Sequence, residues 1–435
     1  MKRKIEMGKQ TAEQIKGLQE VKLRETIAYV NEYSPFYRQM FASNGIDPSS
    51  IQTLDDLRKI PFSTKDDLQR ENARFFCVPK KKIIDYVTTS GTLGEPVTLV
   101  LTEKDLERLA LNECESLRCA GGSAAETYQL MTTIDRRFMA GLAYFLGARK
   151  LGAGIVRTGN GIPELQWDTI RRIEPTALIV VPSFLLKLSE YALAHGIDPR
   201  TTSVKRAICI GEPIRNADFS LNTLGEKIKQ AWGIELYSTY ASTEMGAAFT
   251  ECEAGKGGHY QPDLLIAELI GEDGQSVGKG EAGELVITTL GVEGTPLIRF
   301  RTGDVCIAHS EPCSCGRSSM RLGPILGRKK QMIKYKGTSL YPPALYDVLN
   351  TIPQVKNFIV EVSTNSIGTD DILIRIGCTM PDSNLEKEIA DHFRARLRVA
   401  PAIRFERPED IQKEQLPELS RKPIVFIDKR TVPAA

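Results

Sequence analysis

Residues 177–196 read ALIVVPSFLLKLSEYALAHG. A short apolar run ends at Pro182, and a helical stretch follows it. The pairing recurs downstream. VKRAICIGEPI (204–214) precedes the helical LNTLGEKIKQAWG (221–233), and IELYSTYASTEMG (234–246) comes next. Short apolar strands separated by helices predict an α/β sheet whose parallel strands are buried on both faces.

Outward from this centre the texture changes. The first sixty residues mix apolar positions at helical spacing with charges, and IPFSTKDDLQ (60–69) carries a Pro and a Ser/Thr helix start. From about Asp263, LLIAELIGEDGQSVGKGEAGELVITTL (264–290) reads as strands joined by Gly-rich turns. After Gly327 the order is strand, helix, two strands, helix, strand, a compact α+β domain of about a hundred residues. In its second helix Leu385, Ile389, Phe393 and Leu397 form a packing face, and Ser383 with Glu386 fits a capping box. The expected division is 1–327 and 328–435.

Composition bounds the function. The chain has 435 residues, 41% hydrophobic and 26% charged, with a formal net charge of +2. That balance is ordinary for a soluble protein and implies no general attraction to nucleic acid or membrane. The basic N-terminus has no apolar run behind it, so no secretory signal is expected, and no apolar run approaches the ~18 residues of a membrane helix. Nine cysteines, an odd number at low density, suit free thiols or metal ligands in a reducing cytoplasm.

The stretch YVTTSGTLGEPVTLV (86–100) sets hydroxyls and glycines between two apolar runs. Such a loop exposes N–H and O–H donors to a phosphate. It is not a Walker loop, because no Lys-Ser or Lys-Thr follows at the required spacing. Further punctuated stretches are CIGEPI with Gly211, Glu212 and Pro213, STYASTEMG with Tyr240, Thr243 and Glu244, FRTGDVC with Asp304 in a turn, GRKKQMIKYKG with Arg328 and four lysines, and SRKPIVFIDKR with Lys422. Taken singly, each is weak. Gly211–Pro213 follow a strand, where an open α/β sheet binds ligands.

Together and in this order, the set resembles the ANL superfamily of adenylate-forming enzymes, most closely the phenylacetate–CoA ligase branch. The resemblance spans nearly the whole chain. It implies a large N-terminal α/β domain with a β subdomain and a small mobile α+β C-terminal domain. It implies that Thr89, Ser90, Gly91, Thr92 and Gly94 hold the ATP phosphates, that Gly211, Glu212 and Pro213 lie beside the adenine, and that Tyr240 stacks on it with Thr243 nearby. Glu244 would hold Mg²⁺, a hard ion that takes carboxylate oxygen. Asp304 would accept from both ribose hydroxyls, with Arg328 beside it. Lys422 would contact the attacking carboxylate and the α-phosphate, offsetting charge as two anions meet. Lys330 falls at the hinge. Lys334 and Lys336 would face the site in the coenzyme A step, or else form an exposed basic strand. Three positions depart from the pattern: Glu95 stands where many relatives have Lys, Arg421 where they have Gly, and Pro423 where they have a small residue; Arg421 is the substitute candidate for the role of Lys422.

The implied reaction is ATP-dependent activation of a small carboxylic acid, aromatic in the namesake branch, followed by transfer to coenzyme A. Two other readings stay open: transfer to a carrier protein or amine, and nucleotide binding without turnover. Phe138, Met139, Ala140 and Gly141 fall where relatives line the acid pocket, and Arg136 or Arg137 could pair with a second acidic group. No nucleic-acid or membrane partner is expected, and a homodimer is the assembly kept in view.

One constellation stands apart from the ligase motifs. Cys252 and His259 in ECEAGKGGHYQPD, with Cys313 and Cys315 in EPCSCGRS, offer three sulfurs and one imidazole, a donor set suited to tetrahedral structural Zn²⁺. Relatives in this branch often carry such residues at these places. The alternative is four reduced core or loop side chains. The remaining cysteines, such as Cys209 within an apolar strand, read as core.

Overall fold

The computed structural model describes residues 10–89, 97–335, 338–365, 369–417 and 423–430, with the backbone alone at Ser383. Ser90, Gly91, Thr92, Gly94, Glu95, Lys336, Arg421 and Lys422 lie outside the described residues. Two compact units emerge: Met1–Thr302 with Cys306–Ile325, and Gly303–Val305 with Leu326–Ala435.

In the first unit, five parallel strands lie in the order Glu235–Ser242, Arg206–Ile210, Ala177–Val180, Thr127–Leu130, Gly154–Arg157. The quoted stretch is the central strand with its following helix Pro182–Ala194. All four residues of Ala177–Val180 are buried, so both faces of the strand are covered as the apolar run requires. Leu178 and Val180 join Trp167, Ile228 and Trp232 on one side, while Ala177 and Ile179 join Leu117, Tyr144 and Ala148 on the other. Each buried Leu or Ile contributes about 1.5–3 kcal/mol relative to exposure. Trp167 and Trp232 stack at 5.1 Å between ring centroids, and their indole N–H groups donate to Leu188 O and Ser189 Oγ of the helix between them.

Ala247–Glu251 then runs antiparallel to Glu235–Ser242, and Leu265–Ile270 pairs antiparallel with Ala282–Thr289. The expected N-terminal helices are Ala12–Tyr33 and Pro35–Ser43, and Thr64 caps Lys65–Glu71 in a capping box with Asp67. No helix among the described residues is long and apolar enough to cross a membrane.

Helices Glu103–Cys119 and Met139–Leu151 pack closely. A Cβ at Gly147 would stand 2.4 Å from Glu113 Cβ, so only glycine fits. Glu113 itself is buried; Asn112 Nδ2 donates to its Oε1 at 3.1 Å, and its Oε2 has no partner among the described residues. Burial pushes this carboxyl up to about 7. A carboxyl raised above its unfolded value near 4.5 favours the fold while protonated. Its contribution is therefore fully present below about 4.5 and lost as the pH climbs to about 7. Glu113→Gln keeps the shape and removes the titration. Denaturant unfolding should show wild type losing up to about 3 kcal/mol more than Glu113→Gln over that window. Identical pH profiles would contradict the buried, proton-bearing carboxyl.

In the second unit, strands lie in the order Ala402–Glu406, Asp370–Gly377, Asn357–Thr364, Phe426–Asp428. The expected order of elements is present, with helix Pro408–Gln415 and strand Phe426–Asp428 in addition. The first expected strand is Ile333–Tyr335, which among the described residues pairs antiparallel with Thr338–Leu340, apart from the four-stranded sheet. The capping expectation for Ser383 is corrected. The helix Ser383–Leu397 is capped by Asp382, whose Oδ1 accepts from Leu385 N–H at 2.7 Å.

Candidate active site and candidate metal centre

The parallel strands end in the loops that carry the motifs. Gly211 leaves strand Arg206–Ile210 at φ +78°, a backbone that favours glycine. Glu212 accepts from Ser183 N and Ser183 Oγ, each at 2.9 Å, and so ties the ends of two adjacent strands together. Pro213 O accepts from Asn222 Nδ2 at 2.9 Å. Tyr240, half-buried in the next strand, lies 6.2 Å from Phe249 between ring centroids. Beyond it Thr243 and Glu244 line a small cleft with Leu99, Leu109, Met139 and Thr295. Met139, expected in the acid pocket, thus shares a cleft with the candidate magnesium ligand.

Thr89 closes the base of the glycine loop. Its N–H donates to Val97 O at 3.0 Å, and its Oγ1 accepts from Val97 N–H at 3.1 Å. Thr88 N–H donates to Arg137 O at 3.0 Å. Arg136 and Arg137 are exposed and both have positive φ, 57° and 58°.

Within the second unit, Asp304 stands opposite Arg328 in an antiparallel pairing, with Arg328 Nε 3.4 Å from Asp304 Oδ1. The expected turn at Asp304 is corrected: strand Phe300–His309 runs through it, and Gly303 at φ +78° supplies the irregularity that the composition suggested. Lys330 is exposed in the turn Lys329–Gln331, and its carbonyl accepts from Arg430 Nη2 at 2.8 Å. Arg430 also donates to Met332 O and pairs with Asp428 and Asp370. Lys334 is exposed in strand Ile333–Tyr335, its N–H held by Asp370 Oδ2 at 2.7 Å.

The four candidate metal ligands converge from segments up to sixty-three positions apart in the chain: the ligand atoms of Cys252, His259, Cys313 and Cys315 all lie within 4.8 Å of one another. Cys252 Sγ is 3.6 Å from Cys313 Sγ, and Cys315 Sγ is 3.4 Å from His259 Nε2. A tetrahedral ion with bonds of ~2.0–2.3 Å has ligand–ligand edges of about 3.3–3.8 Å. The donor set therefore fits zinc. Gly316 at φ +83° turns the Cys-x-Cys segment, its N–H donating to Cys313 O at 2.9 Å. His259 Nδ1 lies 3.5 Å from Ser319 Oγ, which leaves Nε2 toward the sulfurs. Burial, with Arg317 and Arg321 nearby, pushes His259 down to about 4. Burial opposes ionisation of Cys315, but hydrogen bonds from the Arg317 N–H and side chain win and hold that thiol below its usual range.

Two residues here had no sequence signal. Cys119, at the end of helix Glu103–Cys119, packs with Cys252 and Cys313 and donates its S–H to Thr250 O at 3.3 Å. Ser319 faces the imidazole from sixty residues away.

The profile of the AMP-binding enzyme family matches residues 46–293. The chain is 31% identical over 393 residues to a phenylacetate–coenzyme A ligase of Thermus thermophilus, covering 88% of this chain and 83% of that protein. The chain belongs to the AMP-binding enzyme family, in its phenylacetate–CoA ligase branch. A second member of the branch, a phenylacetate–coenzyme A ligase of Escherichia coli, is 31% identical over 77% of this chain and 76% of its own. Among solved structures, a 2-hydroxyisobutyryl-CoA ligase in complex with an acyl-AMP superposes with a TM-score of 0.85 at 22% identity, covering 99% of this chain and 94% of that one. That similarity establishes the AMP-binding fold without bearing on the substrate.

Proposed function

We propose that this member of the branch is an ATP-dependent, AMP-forming acyl-CoA ligase whose acid is small and aromatic. Membership of the phenylacetate–CoA ligase branch is the observation that carries the reading. The acid's carboxylate oxygen attacks the α-phosphorus of ATP, and the bond to the β-phosphate breaks, giving acyl-AMP and pyrophosphate. The coenzyme A sulfur then attacks the acyl carbon, the thiol proton passes to solvent, and AMP leaves.

In this reading Tyr240 offers a half-buried ring to the adenine, with Gly211, Glu212 and Pro213 along its edge and Thr243 beside the phosphates. Thr89 and the loop that it closes hold the phosphates, and Asp304 with Arg328 receives the ribose. Magnesium, which screens phosphate charge, would be held by Glu244; a half-buried carboxylate in a cleft suits a hard cation. Zinc would be held by Cys252, His259, Cys313 and Cys315. Four protein ligands leave no open position, so its part is structural. Nine cysteines, none in a disulfide among the described residues, support a reducing cytoplasm as the place of action.

The test is pyrophosphate release from ATP and Mg²⁺ across a panel of aryl and short aliphatic acids, with coenzyme A as the only acceptor. Phenylacetic acid or a close aryl relative should give the fastest release, at least tenfold above acetic acid, with an acyl-CoA product. Flat release across the panel would overturn the ligase reading. Release without thioester would move the acceptor to a carrier protein or amine.

A further inference from the structure

We infer that Arg108 is the positioning residue of Glu244, while Asp105, one turn earlier in the same helix, holds the loop at 293–294 beside the same cleft. The inference rests on the reading of Glu244 as the magnesium ligand. Both residues lie on helix Glu103–Cys119, both are buried, and both line the cleft that contains Glu244.

The guanidinium of Arg108 spends its donors on three separate chain segments. Nη1 donates to Gly246 O at 2.7 Å, Nε to Leu290 O at 2.9 Å, and Nη2 to Leu264 O at 2.5 Å. Asp105 holds the neighbouring loop, accepting from Glu293 N–H and Gly294 N–H at 2.8 Å each, and it also caps its own helix with Thr102. Taking a charge out of water is costly unless it is well bonded, and a cation shared by three carbonyls fixes those segments relative to one another.

Glu244 is two residues from the Gly246 carbonyl. The turn that carries it, residues 242–246, contains no other charged side chain. It is pinned at one end by Met245 N–H on Ser242 Oγ at 3.3 Å, by the fully buried Met245 side chain, and at the other end by Arg108. Gly246 has φ +51°, and a Cβ there would come to 3.2 Å from Arg108 Nη1. The guanidinium therefore sits directly against the backbone that aims the carboxylate. Lysine cannot replace it, because a single ammonium on a flexible stem does not reach three divergent carbonyls as a planar fork does.

The test uses the full chain and acid-independent probes: ATP with and without MgCl₂, and AMP alone, by titration calorimetry. Wild type is compared with Glu244→Gln, Arg108→Met, Arg108→Lys and Gly246→Ala. Outer partners of a metal ligand typically alter metal affinity 10–100-fold. The magnesium-dependent gain in ATP affinity should therefore fall about tenfold or more in all four variants, with AMP affinity within about threefold of wild type. Should Arg108→Met be insoluble, Arg108→Lys and Gly246→Ala decide by the same criterion. A full magnesium effect in the Arg108 and Gly246 variants, when Glu244→Gln has lost it, overturns the inference and leaves the ligase reading standing. Equal loss of AMP binding overturns it too, because Arg108 then merely holds the fold. Wild-type binding indifferent to magnesium, or unchanged in Glu244→Gln, overturns the reading of Glu244 and this inference with it.

Discussion

Lys422→Ala is expected to abolish adenylation while leaving thioester formation intact. The first step brings a carboxylate against a triphosphate, and a cation at the α-phosphate offsets charge that grows toward the transition state. Removing one such preorganised group costs roughly 10²–10³-fold. The second step begins from a neutral acyl carbonyl and a thiol, with no anion attacking phosphorus, so the same cation has little to stabilise. Acid-dependent ATP–pyrophosphate exchange should therefore drop by at least about a hundredfold. Coenzyme A acylation from preformed phenylacetyl-AMP should stay within about threefold of wild type. Equal loss of both half-reactions would remove the assigned role. An unchanged exchange rate would transfer it to another residue, for which Arg421 is the neighbouring candidate.

The second large effect concerns the cysteine–histidine cluster. The purified protein should contain about one zinc per chain by elemental analysis, and Cys252→Ser or Cys313→Ser should reduce this to near zero. Because the four ligands join residue 252, the strand at 258–259 and the 313–315 turn, losing the ion also loses the tie between them. Metal binding of this kind is folding free energy. A cost of several kcal/mol would lower the unfolding midpoint of the larger unit by roughly 10 °C. Cys209→Ser, buried in the parallel sheet, should leave zinc content unchanged, which separates metal loss from general destabilisation. Zinc below about 0.1 per chain in protein with reduced thiols would end the assignment.

Much of this architecture was legible because its signals are local. The run 177–180 is apolar throughout, as a strand buried on both faces must be, and its helix follows the proline directly. The Thr64–Asp67 capping box lies within four residues. Failures of the sequence reading came where one residue type serves two structures. Thr-Gly-Asp reads as a turn, yet Gly303 is an irregularity inside a strand that continues to His309. Ser383 looked like the cap, but Asp382 beside it also suits that position and makes the bond. The residues that brace the candidate sites left no local trace. Arg108 meets Gly246 from 138 positions away, and Cys119 reaches Thr250 from 131. The four candidate metal ligands stood out because sulfur and imidazole are rare donors whose chemistry restricts what they can do together.

The two stacked tryptophans have a practical consequence for anyone following this protein by spectroscopy. They are the chain's whole complement of indoles, and they sit side by side in one core of the larger unit. Emission excited at the red edge will report the melting of that single neighbourhood and will be silent when the smaller unit opens. A fluorescence trace can thus look like one cooperative transition while missing half of the events. Tracking the smaller unit calls for a new indole, and Phe393, fully buried in that unit's own core, marks the place to introduce one.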